Sequence, residues 1–189
     1  MRTRLLIPAA LFASAAMLPA QDRWRPDAVE VRPLAGVYVP LGAQRADFES
    51  ATFLGAQGAM ELNRHFHVVG SIGRTRGHNK IFANDFTPIW QYDLGVELNL
   101  VRNVGDGSLF RPFLGTGSGG RTYEYRALTE GTRTCLAGYG AAGAEMQRGL
   151  VAFRFEARDY LSCFESPVTG VKRTRNDIGL SVGFAYHIQ

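Results

Sequence analysis

Residues 89–100 read Ile89-Trp90-Gln91-Tyr92-Asp93-Leu94-Gly95-Val96-Glu97-Leu98-Asn99-Leu100. Trp90, Tyr92, Leu94, Val96, Leu98 and Leu100 fall on one face of an extended strand, and Gln91, Asp93, Gly95, Glu97 and Asn99 on the other. Wound as a helix, the same residues scatter their charges around every side, so period two decides for a strand. Residues 177–189 repeat the pattern, with Ile178, Leu180, Val182, Phe184, Tyr186 and Ile188 alternating with Asp177, Gly179, Ser181, Gly183, Ala185, His187 and Gln189.

With these two strands as template, six weaker segments are placed at 28–39, 53–62, 66–75, 109–121, 136–146 and 150–160. The 22 glycines run through the apolar segments instead of clustering in turns. Glycine in a helix interior costs about 1 kcal/mol relative to alanine, which argues against a helical protein. The intervals between the eight segments alternate in length: long at 40–52, 76–88, 122–135 and 161–176, short at 63–65 and 147–149, moderate at 101–108. Short turns at one end and long loops at the other mark an antiparallel up-and-down barrel that crosses a membrane. Twelve residues at ~3.4 Å each, tilted by about 45°, cover roughly 28 Å along the membrane normal, which matches the apolar band of such barrels.

The first twenty residues differ from the rest. Arg2 and Arg4 precede an apolar, alanine-rich run from Leu5 to Met17, and Leu18-Pro19-Ala20 precedes Gln21. This is the form of a secretory signal peptide over residues 1–20, leaving 21–189 as one barrel domain. A retained membrane anchor is the alternative, and the apolar run is short for it. Without Arg2 and Arg4 the formal net charge falls from +4 to +2. With no basic patch interleaved with aromatics, nucleic acid is not an expected partner.

The polar face of the eight segments carries Glu30, Arg32, Gln57, Glu61, Asp93, Glu97, Arg111, Arg121, Glu145, Arg154, Glu156 and Arg158, mixed with Gly115, Gly117, Gly143, Gly179 and Gly183. An eight-stranded barrel has an interior just wide enough for side chains, and small residues leave room for long charged ones opposite. This face is therefore expected inside, as a network of ion pairs among Glu30, Arg32, Glu61, Asp93, Glu97, Arg111, Glu145, Arg154, Glu156 and Arg158. The apolar face then meets lipid, with Trp90 at the loop end and Phe66, Phe110, Phe153 and Tyr186 at the turn end as interfacial aromatics. A soluble barrel with the charged face outward is the competing arrangement. Its surface normally carries more lysine than Lys80 and Lys172, the two present.

Cys135 and Cys163 lie almost symmetrically about the 147–149 turn, one residue out of register, and a bulge could absorb the offset. In an oxidising compartment a disulfide is the expectation, against two thiols. Arg74, Arg76 and Lys80 in one long loop, and Lys172, Arg173 and Arg175 in another, are candidate contacts for the phosphates of an outer lipid leaflet, against ordinary solvated loop residues. No catalytic motif is found. Gly115-Thr116-Gly117-Ser118-Gly119-Gly120 lacks the lysine and following helix of a phosphate loop. His65 and His67 bracket Phe66 without further ligands, so neither metal nor cofactor is expected.

The opening strand Val31-Arg-Pro-Leu-Ala-Gly-Val-Tyr-Val-Pro-Leu-Gly42 and the closing strand Gly179-Leu-Ser-Val-Gly-Phe-Ala-Tyr-His-Ile-Gln189, behind a signal peptide, resemble the small eight-stranded outer-membrane barrels of the OmpA-like and porin-like kind. The resemblance covers nearly all of residues 21–189 and is one of pattern. It implies insertion into the outer membrane by the barrel-assembly machinery, contact with outer-membrane lipid, a monomer, and a structural or surface-interaction role without enzymatic activity. Two other functions compete. One is a lipid-modifying barrel enzyme, whose outward His-x-Ser element is absent from the sequence. The other is a soluble periplasmic ligand-binding barrel.

Overall fold

The computed structural model describes residues 29–41, 49–80, 85–105, 107–124, 131–165 and 171–188. The expected signal peptide lies outside these residues. Strands β1 (Val29–Pro40), β2 (Ala51–Glu61), β3 (Phe66–Asn79), β4 (Asp85–Asn99), β5 (Arg102–Gly105), β6 (Ser108–Glu124), β7 (Thr132–Arg148), β8 (Val151–Glu165) and β9 (Lys172–Ile188) form one antiparallel sheet. Neighbours in sequence pair except β4 and β5, β4 pairs instead with β6, and β1 pairs with β9, so the sheet closes into a barrel. No helix among the described residues is long and apolar enough to cross a membrane, and the strands provide the crossing.

The short β5 is not a ninth stave. Its partners Arg102↔Phe110 and Asn103↔Leu109 continue the ladder in which Asn99 faces Phe113, so β4 and β5 are one stave interrupted at Leu100 and Val101. A register shift between Asn103 and Gly105 ends it, and Gly105 and Gly107 then turn the chain at φ +92° and +70°. The barrel thus has eight staves, with the moderate interval at 101–108 absorbed into the fourth.

The other turns at this end are equally local. Asn63 Oδ1 accepts hydrogen bonds from the backbone N–H of His65 at 2.9 Å and of Phe66 at 3.0 Å, an Asx turn between β2 and β3. Gly149, at φ +65°, opens the two-residue link between β7 and β8, a conformation that suits glycine in a hairpin matched to the twist of its strands.

At the opposite end the strands run further than the sequence pattern indicates. β3 and β4 stay paired as far as Asn79↔Asp85, β6 and β7 as far as Glu124↔Thr132, and β8 and β9 as far as Glu165↔Lys172. The pairing between neighbouring hairpins stops sooner, at Ala137↔Ser162 for β7 and β8. Three two-stranded ribbons therefore extend from the loop end, where long connections were expected.

Side chains sort by parity as the period requires. Outward Leu94 is 64 % exposed, Leu136 73 % and Phe184 60 %, while inward Arg121 and Arg154 are fully buried. A barrel that exposes its leucines and buries its arginines is built for lipid outside, and the soluble arrangement is excluded on this ground. Phe153 and Phe184 stand outward at the turn end in an edge-to-face pair with centroids 5.8 Å apart.

The two cysteines form no disulfide. The one-residue offset is not absorbed by a bulge: β7 and β8 keep one register throughout, so Cys135 points inward and is buried while Cys163 points outward and is exposed. The Cys163 thiol sits 3.8 Å from the carbonyl of Leu136. A water-soluble maleimide is expected to label Cys163 in the folded protein and Cys135 only after unfolding, with gel mobility unchanged by reductant. Mass spectrometry of labelled peptides checks this, and protection of Cys163 is the contrary result.

Candidate functional site: the barrel interior and its turn-end mouth

Inward positions of all eight staves meet along the barrel axis. The network begins near the turn end, where Glu30 lies between Arg32 at 2.5 Å and the Arg111 guanidinium at 3.6 Å. Arg32 also donates to Glu97 at 3.0 Å, and Glu97 accepts from Arg154 at 2.6 Å. Arg154 then reaches Glu156 at 2.7 Å and Glu145 at 3.6 Å, with its guanidinium over the Phe113 ring at 3.6 Å. Glu156 continues to Arg158 and accepts from Gln57 at 3.1 Å. Arg158 pairs with Asp93 at 3.3 Å, and Asp93 also accepts from Tyr160 Oη at 3.2 Å.

Toward the loop end Arg121 takes over. It donates to Asp177 at 2.8 Å and to Tyr38 Oη at 2.6 Å, and its guanidinium stacks 4.0 Å from the Tyr160 ring. Charges of alternating sign thus follow one another along the lumen, each bridging two or three staves. Taking an ion out of water costs several kcal/mol, which only close opposite charges and further hydrogen bonds can offset.

Of the residues expected in an inward network, Glu30, Arg32, Asp93, Glu97, Glu145, Arg154, Glu156 and Arg158 lie together, and Arg111 joins more loosely at 3.6 Å and 3.8 Å. Glu61 does not join: it sits at the end of β2 on the rim of the turn-end mouth, outside this chain of ion pairs. Gln57 and Arg121, expected on the same inward face though not among the ion-paired residues, also belong to the network, as do Asp177, Tyr38 and Tyr160. Parity alone carried the signal for Tyr38 and Tyr160, which share a face with Arg32 and Arg158. Sorting tyrosine as apolar hid it, since an inward tyrosine fills space with its ring and spends its hydroxyl on a charge.

A cavity of about 20 Å³, room for about one water, remains among Leu34, Gln57, Gln91 and Tyr160. Glycine makes the packing possible: Gly95 and Gly117 face each other across β4 and β6, and the Tyr139 ring lies against both.

Of the basic residues expected in the loops, all but Lys80 lie on strands. Arg74 and Arg76 are on β3, facing outward: Arg74 lies within the segment expected for this strand, and Arg76 within the four residues by which β3 exceeds it. The Arg74 guanidinium lies 5.1 Å from the Trp90 ring on β4, and that of Arg76 lies 5.6 Å from Phe86. Lys80 follows, exposed. Arg173 is exposed on β9, whereas Arg175 turns inward and is 4 % exposed, which removes it as a lipid contact. Lys172 opens β9, and its side chain lies outside the described residues.

The fold and its orientation define a class, the outer-membrane β-barrels. The family described as outer membrane protein beta-barrel domain matches residues 8–189, and the chain belongs to it. Its place is the outer membrane. Among solved structures it is similar to the N-terminal barrel domain of Pseudomonas aeruginosa OprF, with TM-score 0.54 and 15 % identity over 85 % of this chain and 98 % of that one. It is also similar to Neisserial surface protein A, with TM-score 0.55 and 8 % identity over 84 % and 96 %. A third likeness is to the outer-membrane protein AlkL, with TM-score 0.51 and 12 % identity over 92 % and 96 %. No curated protein matches the sequence.

Proposed function

We propose that this chain is a non-enzymatic outer-membrane barrel with a structural or surface-interaction role, its lumen closed by the ion-pair chain and its loop-end ribbons presented to the exterior. The observation that supports this reading is the run of buried opposite charges across the lumen from Glu30 to Asp177. Purified protein in planar bilayers should show no unitary conductance steps, and it should migrate faster on gels before heating than after. Stable, reproducible steps would overturn the closed lumen.

Lipid is the partner this reading requires. Arg74 and Arg76, two positions apart on one outward face and each against an aromatic ring, match an anionic headgroup layer: the ring sits at the interface and the guanidinium offers a fork to phosphate. Arg74→Gln with Arg76→Gln should weaken binding to vesicles containing lipid A relative to zwitterionic vesicles, without changing the gel shift. Equal binding by the variant would remove this contact.

A further inference from the structure

The turn-end mouth is more than the place where the barrel stops. A cup of about 530 Å³ opens there, lined by Glu61, Arg64, His65, His67, Asn99, Val101, Asn103, Leu109 and Arg111. Its inner end is blocked by the first layer of the ion-pair chain, where Arg32 joins Glu30 and Glu97. It is therefore a blind pocket facing the compartment on the turn side, within the size range of small-molecule sites, about 300–1,000 Å³.

Donors in this cup are unspent. Asn99 is 3 % exposed, faces into the pocket from the end of β4, and its Nδ2 has no hydrogen-bond partner among the described residues. The Arg111 Nε is likewise without a partner, and its Nη1 stands 3.6 Å from Glu30 and 3.8 Å from Glu145, too far for good hydrogen bonds. Arg64 uses its Nε on His65 at 2.9 Å, which leaves its outer N–H groups to face solvent. A buried amide donor left without an acceptor costs about 1–3 kcal/mol, and buried polar groups in native proteins almost always find a partner. These two donors, with the Arg64 guanidinium at the rim, call for a ligand that brings acceptors and negative charge.

We propose that this cup binds a small oxyanionic solute through a carboxylate or phosphate group, with Asn99 and Arg111 as the inner contacts and Arg64 at the rim. Glu61 is the single carboxylate in the lining, and Arg111 is shared with Glu30 and Glu145 at the inner end, so the site is restricted to compact anions of low charge. This site is independent of the loop-end ribbons and of lipid binding.

The test uses the folded protein in detergent micelles, with its side-chain amide and guanidinium N–H resonances followed by NMR. Inorganic phosphate and citrate are titrated separately, with sodium chloride at matched ionic strength as the third arm. The expected result is a saturable shift of the Asn99 side-chain amide and Arg111 Nε–H signals, with a dissociation constant at or below about 1 mM for at least one of the two anions. Saturation by phosphate alone, or by citrate alone, identifies the preferred group. Arg111→Gln should weaken binding by about tenfold, the loss of one charge-assisted contact. Arg64→Gln, an exposed turn substitution that leaves the fold intact, should weaken it by a smaller factor. Absence of saturation, equal shifts with chloride, or unchanged affinity in both variants would overturn the proposal.

Discussion

Replacing Arg154 with alanine is expected to destabilise the barrel by about 3–5 kcal/mol, the cost of removing one partner from a buried ion pair. Arg154 is fully buried and lies within 3.6 Å of Glu145, 2.6 Å of Glu97 and 2.7 Å of Glu156. Without it, three carboxylates from three staves lose a shared cation in a site that water does not reach freely. The substitution also empties the space over the Phe113 ring, where the guanidinium rests at 3.6 Å. Arg154→Lys keeps the charge and loses the planar fork that serves several carboxylates at once, so it should fall between alanine and the parent. Replacing Arg154 by methionine together with Glu97→Gln should recover part of the loss, because the pair leaves as a unit. Urea titration in micelles, read by the fraction that keeps fast gel migration, measures all four proteins. A loss below about 1 kcal/mol for alanine would show that the network is solvated and the pair energetically minor.

Gly117→Val should prevent assembly outright. A Cβ at Gly117 meets the Leu94 carbonyl oxygen, comes within 2.6 Å of Tyr139 Cε1 and within 2.7 Å of Gly95 Cα. Two of those three neighbours are backbone of the facing strand, which cannot swing away as a side-chain tip can. Overpacking in a dense core costs typically about 1–3 kcal/mol, and more where backbone must move. Truncating the ring by Tyr139→Ala should therefore not rescue Gly117→Val. Gly140→Val is the control, since nothing lies within 4 Å of a Cβ built there. It should assemble as the parent does, judged by membrane integration and gel shift. Normal assembly of Gly117→Val would mean that β4 and β6 do not approach as closely as their register places them.

Much of this fold is legible along the chain because a strand in a barrel wall faces two different media. Lipid outside and a crowded polar lumen inside impose an alternation that Trp90 to Leu100 displays almost without exception. The staves, their parity, the inward charges and the outward aromatics follow from that local rule. Where the local rule weakens, the strands run past their apolar pattern. In the ribbons beyond the apolar band, such as Arg76 to Asn79 against Asp85 to Pro88, Gly77 and Thr87 are buried while Arg76 and Phe86 are exposed, but the outward residues are no longer uniformly apolar, so hydropathy stops alternating. The strand state of these ribbons comes from pairing, not from pattern.

What the sequence determined by itself is which face each side chain takes. Which side chains meet was decided only by closure. Arg32 and Glu97 are separated by 65 residues, and Gln57 and Glu156 by 99, yet each pair shares a hydrogen bond inside the lumen. Stagger sets which residue of one stave stands opposite which residue of another, and no single strand encodes it. The same stagger set Glu61 on the rim, outside the ion-pair chain, whereas Arg175 is inward by parity with Asp177 on the extended β9. Parity likewise puts Cys135 and Cys163 on opposite faces, Cys135 with inward Ala137 and Tyr139 and Cys163 with outward Leu161, and closure adds no bulge that would bring them together.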